Sequence, residues 1–322
     1  MKTVCISHAE DADGIICAAV LKHLLDAHTL LVAYDDLEEA LKSVRPPVEE
    51  VYICDLNIRK ELCKEVERIT KFSSVTFVDH HPTEAEVIKR LQHSGVTVVY
   101  STLDCSSVLL FSHHQEKLDW KAARLVVYAA ISDHFEDGPI ASKLMARLDR
   151  HFVEHEALIL THALHRKATS KFRLMVANEL SKFSFPHKVE GVTEAALGYL
   201  EDAVELLETL PKKASRLEKL AYVEGVQGMT IGAVAGLLID AMNVDVGVCY
   251  KREETGFMSI SIRGQRGIEL HLGEIAKRLA KRHGGFGGGH NTASGASIPR
   301  SNYIEFVKDI ERELKKTNGR RE

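Results

Sequence analysis

The chain has 322 residues, of which 45% are hydrophobic and 27% charged, and a formal net charge of −4. That length predicts two domains, and that composition excludes a disordered or fibrous chain. No apolar run is long enough to span a membrane and the first residues lack a signal-peptide layout, so a cytoplasmic protein without a membrane partner is expected. The six cysteines, at 5, 17, 54, 63, 105 and 249, form no C-x-x-C pair and are expected to be reduced, packed thiols. The charge is uneven. From Lys212 onward there are 19 Lys and Arg against 13 Asp and Glu; before it there are 23 against 33. An acidic first part suits a carboxylate-rich metal site and a basic second part suits a phosphate-bearing substrate, although two solvated surfaces would read the same way.

In chain order, short β-branched runs at 4–7, 30–34, 51–55, 75–79 and 96–100 predict strands, with helical spacing between and after them at 14–25, 61–70, 84–93, 106–114 and 121–131. This alternation predicts an α/β fold with a parallel sheet covered by helices on both faces. Residues 141–210 lack strand signals and read as several helices, and Pro211-Lys212-Lys213 reads as a linker. Beyond it come strands at 217–224, 244–250, 256–262 and 294–298 and helices at 230–241, 270–282 and 302–314, a smaller mixed α+β unit. The expected domains are 1–210 and 211–322.

Candidate metal ligands stand where strands end. The first strand runs into His8, Glu10, Asp11 and Asp13; the third ends at Asp55; the fourth ends at Asp79, His80 and His81; a later helix ends at Asp133. In an open parallel sheet the carboxyl ends of the strands line one crevice, so these residues converge. An Asp at a strand end is more often a cap or turn residue, and only the conjunction of four such clusters argues for a metal centre. Carboxylates with imidazoles suit a divalent ion such as Mn²⁺. The glycine run 284–289 follows a helix and carries no Lys-Ser/Thr end, so it is not a P-loop; its backbone can approach a phosphate. The basic residues Lys277, Arg278, Lys281, Arg282 and His283 before it either track a nucleic-acid backbone or form a solvated helix face. His151-Phe-Val-Glu154-His155 fits a zinc-protease spacing but reads as an exposed helix face, and His113, His114, His162 and His165 read as surface residues.

The motifs Asp11-Ala-Asp13-Gly14, Asp55, Asp79-His80-His81 and Asp133 resemble the four motifs of the DHH phosphoesterases. Gly287-Gly288-Gly289-His290, Ala293-Ser-Gly295 and Arg263 resemble the DHH-associated C-terminal domain. The resemblance, to RecJ-like or nano-RNase-like members, covers nearly the whole chain. It implies two Mn²⁺ ions, Mg²⁺ being the alternative, with His8 and Asp11 on one metal, Asp13 and His80 on the other, and Asp55 and Asp133 shared. His8 is the least secure ligand and Glu10 its substitute. His81 is implied to contact the scissile phosphate, Asp79 to orient a neighbouring histidine, and Arg263, Gly288, Gly289 and His290 to bind substrate. The function implied is phosphodiester hydrolysis of single-stranded DNA or short oligonucleotides. Alternatives are small nucleotides (cyclic dinucleotides, 3′-phosphoadenosine 5′-phosphate) or a non-catalytic replication or repair partner; a homo-oligomer is a further expected partner. The glycine-rich segment argues against an inorganic pyrophosphatase of the same family.

Overall fold

A computed structural model describes residues 2–226 and 228–318. The elements in chain order are β1 (Thr3–His8), α1 (Ala12–Leu25), β2 (His28–Val32), α2 (Leu37–Ser43), β3 (Glu50–Cys54), α3 (Cys63–Ile69), β4 (Ser74–Asp79), α4 (Ala85–His93), β5 (Thr97–Tyr100), α5 (Ser106–His113), α6 (Trp120–Ser132), α7 (Ala141–Met145), α8 (Arg150–Arg166), α9 (Ser170–Leu180) and α10 (Val192–Lys213). There follow β6 (Ser215–Arg216), β7 (Leu220–Glu224), α11 (Ile231–Met242), β8 (Val246–Arg252), β9 (Phe257–Gly264), α12 (Leu272–Arg282), β10 (Phe286–Gly289), β11 (Ala293–Pro299) and α13 (Tyr303–Asn318).

The first five strands form a wholly parallel sheet in the order β2-β1-β3-β4-β5. Such a sheet needs cover on both faces, and two apolar clusters supply it. One joins Ile15 and Ile16 of α1 with Val108, Val126, Leu160 and Val176 of α5, α6, α8 and α9. The other joins Leu41, Val66 and Leu91 of α2, α3 and α4 with Ile6, Ile53 and Phe77. This is the α/β architecture expected from the alternation.

The remaining strands form a six-stranded sheet, β10-β11-β9-β8-β7-β6, antiparallel except where β7 meets β8. Leu279 of α12 and Phe306 of α13 pack with Ile260 and Val248, whereas Leu238 of α11 and Leu210 of α10 pack with Ala221. It is the smaller mixed α+β unit. The two compact units are Met1–Leu197 and Gly198–Glu322, dividing within α10. The linker expected at 211–213 is therefore helical, with Pro211 inside the last turns of α10. The expected elements omit α2, which buries Leu37, Ala40 and Leu41, and place β2 two residues later than it stands. All six cysteines are free and buried. Among the described residues, no helix is long and apolar enough to cross a membrane.

Candidate metal centre

Between β1 and β3 the strand order of the first sheet reverses, and the crevice at such a switch point opens at the carboxyl ends of the strands. His8 is the last residue of β1 and Asp55 follows the last residue of β3. Gly14 lets α1 start directly over this edge, because a Cβ there would lie 2.2 Å from the His8 carbonyl oxygen. Asp11 caps α1, its Oδ1 accepting from the Gly14 amide at 3.0 Å, while its Oδ2 lies 2.6 Å from His8 Nδ1. The cap and the candidate ligand are thus one residue. Asp55 stands in the left-handed region at φ 58°, which turns its side chain away from the strand path.

Three overlapping groups can hold a cation: His8, Asp11 and Asp55; Asp13, His80 and Asp133; Asp55, His80 and His81. In each, the donor atoms lie within 4.8 Å of one another. Asp55 and His80 link the sets, with His80 Nε2 at 3.3 Å from Asp55 Oδ1. All six candidate metal residues, together with His81, are therefore brought together. Glu10, the substitute for His8, has an exposed side chain 3.8 Å from His8 Nε2 and joins none of the three groups. Asp79 is buried and its Oδ1 lies 2.8 Å from His81 Nδ1.

The electrostatics are those of a site short of positive charge. Burial raises Asp13 to about 6, with Asp55 adding to the effect. Burial, then Asp11, Asp13 and Asp55, raise Asp133 well above the carboxylate range. Burial also opposes charge on the imidazoles, but the surrounding carboxylates outweigh it. Asp55, Asp13 and Asp133 hold His80 up at about 10, Asp11 holds His8 well above its usual value, and Asp79 raises His81. Burial pushes Asp55 up as well, yet its histidine neighbours pull it down on balance. Buried His8 Nε2, His80 Nδ1 and Asp55 Oδ2 have no hydrogen-bond partner. Unsatisfied buried donors and acceptors of this type, clustered with carboxylates, fit divalent cations, whose binding deprotonates its ligands.

Several residues at the site were not anticipated. The Tyr34 hydroxyl lies 3.1 Å from His81 Nε2 and its ring 4.8 Å from that of His8. Asp13 accepts from the amides of Ser106 and Ser107 at 2.7 and 2.9 Å, and Ser106 Oγ donates to Asp55 Oδ1 at 3.1 Å. The α5 N-terminus thereby holds an anion, as helix N-termini do. Phe135 packs edge-on to His80 at 4.8 Å. Arg173 of α9, under the field of Glu10 and Asp11, has a buried Nε without a hydrogen-bond partner. Inspecting the residues just past every strand end would have found Tyr34 after β2 and Ser106 after β5. Nothing in the sequence marks Arg173.

The candidate substrate residues lie in the second unit. Arg263 on β9 pairs with Ala293 on β11, whose carbonyl accepts from the His290 amide at 2.7 Å. The guanidinium of Arg263 donates to Ser261 Oγ and to the Ile262 carbonyl, and burial lowers its pKa. The glycine run is not a loop. Its last four residues are β10, paired to β11 with Gly288 opposite Gly295. Its glycines serve close packing, since a Cβ at Gly285 would meet the Ser297 carbonyl oxygen at 2.0 Å and one at Gly287 the Gly295 carbonyl oxygen at 2.8 Å, and Gly273 of α12 lies against the run, where a Cβ would meet the Gly289 carbonyl oxygen at 2.0 Å. Gly288 alone in the run has open space where its side chain would be. The preceding basic helix is partly committed to structure, for Arg278 pairs with Glu313 at 3.0 Å and Arg282 with Asp309 at 2.8 Å. His151 and His155 are exposed on α8 and belong to none of the three cation groups. His114, read as a surface residue, is instead half-buried with Nε2 3.2 Å from the Tyr52 hydroxyl, and burial lowers it to about 4. His162 and His165 are half-buried too.

Taken together, a doubly wound parallel domain with a carboxylate and imidazole cluster at its switch point defines a metal-binding α/β protein. Comparison with known proteins makes this specific. Residues 2–131 match the model of the DHH family N-terminal domain and residues 219–316 that of the DHHA1 domain. A relative, an uncharacterized protein of Methanocaldococcus jannaschii, is 36% identical over 102 residues, which is 31% of this chain and 22% of that protein. The match thus spans less than a quarter of the relative's length. Among solved structures, the DHH domain of a protein described as belonging to a family of ribosomal proteins aligns with TM-score 0.72 and 14% identity, over 97% of this chain and 86% of that one. The pGpG-specific phosphodiesterase PggH of Vibrio cholerae aligns with TM-score 0.56 and 11% identity, over 97% and 99% of the two chains. RecJ of Thermus thermophilus in complex with Mn²⁺ aligns with TM-score 0.62 and 16% identity, over 98% of this chain and 52% of RecJ. The chain belongs to the DHH family of phosphoesterases and carries a DHHA1 domain.

Proposed function

We propose that this protein is a Mn²⁺-dependent phosphodiesterase that hydrolyses short oligonucleotides or the ends of single-stranded nucleic acid. The observation that carries the reading is the convergence of His8, Asp11, Asp13, Asp55, His80 and Asp133 into linked groups around Asp55 and His80. Divalent ions held by these residues supply Lewis-acid charge to phosphate oxygens and lower the pKa of water. The chain's own residues do the rest. His81, whose pKa Asp79 raises against the opposing effect of burial, faces the charge that builds on the phosphate in the transition state. Tyr34 and Asp79 engage both of its nitrogens and fix the ring plane. Ser106 and Ser107 hold Asp13 in place. Arg263, Gly288, Gly289 and His290 hold a phosphate or base beyond the scissile bond. Among the described residues no carboxylate pairs with Arg263, which leaves its charge for an anion.

The alignment with the pGpG-specific phosphodiesterase over nearly the full length of both chains supports a short substrate. The reading is tested by incubating the protein with Mn²⁺ and 5′- or 3′-labelled DNA and RNA of several lengths. A ladder of mononucleotide products from short or single-stranded ends is expected. Phosphate release from pyrophosphate with intact oligonucleotides would overturn it.

A further inference from the structure

At the end of α6 remote from Asp133, the first unit carries a second group of side chains that phosphodiester hydrolysis does not use. Trp120, the one tryptophan of the chain, opens the helix with 58% of its surface exposed. Arg124, one turn on, places its guanidinium 4.4 Å from the centre of the Trp120 ring and 5.2 Å from that of Phe185. A cavity of about 240 Å³ lies among Trp120, Lys121, Arg124, Tyr128, Lys182 and Phe185. No carboxylate lines it. The nearby Asp119 is committed to capping α6 through the amides of Lys121 and Ala122, while Glu179 pairs with Lys182 at 2.6 Å. Tyr128, 2% exposed, has a hydroxyl without a hydrogen-bond partner. A buried hydroxyl left unpaired is uncommon and points to an absent ligand or water.

Exposed aromatic faces flanked by cations are the recipe for sequence-tolerant binding of single strands, in which bases stack on rings and phosphates meet basic side chains. Tryptophan and arginine also anchor protein partners. A cavity rimmed by Lys121 and Arg124, with Lys182 paired to Glu179 and no acid among its described lining residues, favours a polyanion instead. We propose that this face is a stacking platform for single-stranded nucleic acid, with a base against the exposed ring of Trp120, on the side that Arg124 leaves open, and phosphates against Lys121 and Arg124. The thirteen residues of α6 put it about 20 Å from Asp133 along the helix. It therefore grips a strand well away from the metal residues and discriminates by length. The proposal rests on the reading of the chain as an enzyme of nucleic acid.

Because Trp120 is the sole tryptophan, its fluorescence reports this face directly. Full-length protein in EDTA is titrated with a long single-stranded oligonucleotide, with inorganic phosphate and with an acidic peptide. Saturable quenching by the oligonucleotide alone is expected, weakened about 10- to 150-fold in Arg124→Ala, the range that loss of one charge-assisted phosphate contact produces. With Mn²⁺ present, Trp120→Ala raises KM for the long oligonucleotide by a similar factor, leaves kcat and dinucleotide KM unchanged, and Trp120→Phe restores most of the loss. No quenching by the oligonucleotide, equal quenching by the peptide, or equal KM changes on long and short substrates would each overturn the platform. Quenching without cleavage of any substrate would remove the enzymatic reading and leave the platform standing; normal cleavage without quenching would do the reverse.

Discussion

Arg263 shows how much of a residue's role lies in what it does not touch. Its guanidinium reaches a serine hydroxyl and a backbone carbonyl, and burial works against its charge. A cation held this way, without a carboxylate among the described residues, is set up for an anionic ligand. Losing a charge-assisted contact costs about 1.5–3 kcal/mol, or roughly 10- to 150-fold. Arg263→Ala is therefore expected to lower kcat/KM on oligonucleotides by that factor and hardly to change hydrolysis of a minimal aryl phosphodiester. Equal losses on both substrates, with a lowered Tm, would make the residue structural. The metal residues were legible because carboxylates and histidines past strand ends are few and fall in order. Tyr34 and Ser106 follow strands too, but tyrosine and serine are so common there that their contacts are needed to choose them, and Arg173 on α9 is marked by its contacts alone.

At the scale of elements, the glycine run changes meaning. Read alone it is a loop that cradles phosphate; in the fold most of it is a strand whose missing side chains let α12 lie close. The same helix is fastened to α13 through buried Asp309, which meets His283 at 2.9 Å and Arg282 at 2.8 Å and also pairs with Arg312. Burial acts to raise the Asp309 pKa, but His283 and the two arginines outweigh it and leave it below the usual value. A carboxylate depressed in the folded state contributes stability that is fully present above its unfolded pKa and is lost as pH falls through the folded pKa. Asp309→Asn is expected to destabilise the full chain by about 1–3 kcal/mol at pH 7. The difference should shrink once pH drops below the ordinary carboxylate range near about 3.9. Thermal melts of both proteins from pH 7 to pH 3 check this, and a penalty constant across that range would contradict the assignment.

For the whole molecule, the consequence of the crowded carboxylates is that cations should bind the folded state and not the unfolded one. An ion at about 100 times its dissociation constant adds about 2.7 kcal/mol, which for a unit of this size is a Tm rise of about 5–10 °C. Mn²⁺ is expected to raise Tm relative to chelated protein, and Asp55→Asn to abolish both the rise and the hydrolysis while leaving the fold intact. A variant that keeps the rise, or more than about a tenth of the activity, would contradict a centre shared through Asp55.

The sequence by itself determined the α/β class of the first unit, the mixed class of the second and which carboxylates and histidines gather in the candidate metal centre. Each of these is written in local signals: alternating apolar runs, and ligand residues set directly after them. Only the tertiary structure decided that Asp11 is cap and candidate ligand at once, that His8 rather than Glu10 faces the cluster, that the 211–213 segment continues a helix, and that the glycines form a strand. These depend on which groups a distant segment brings within a few ångströms. A side chain's protonation, partner or packing role is set by that neighbourhood and not by its place in the chain.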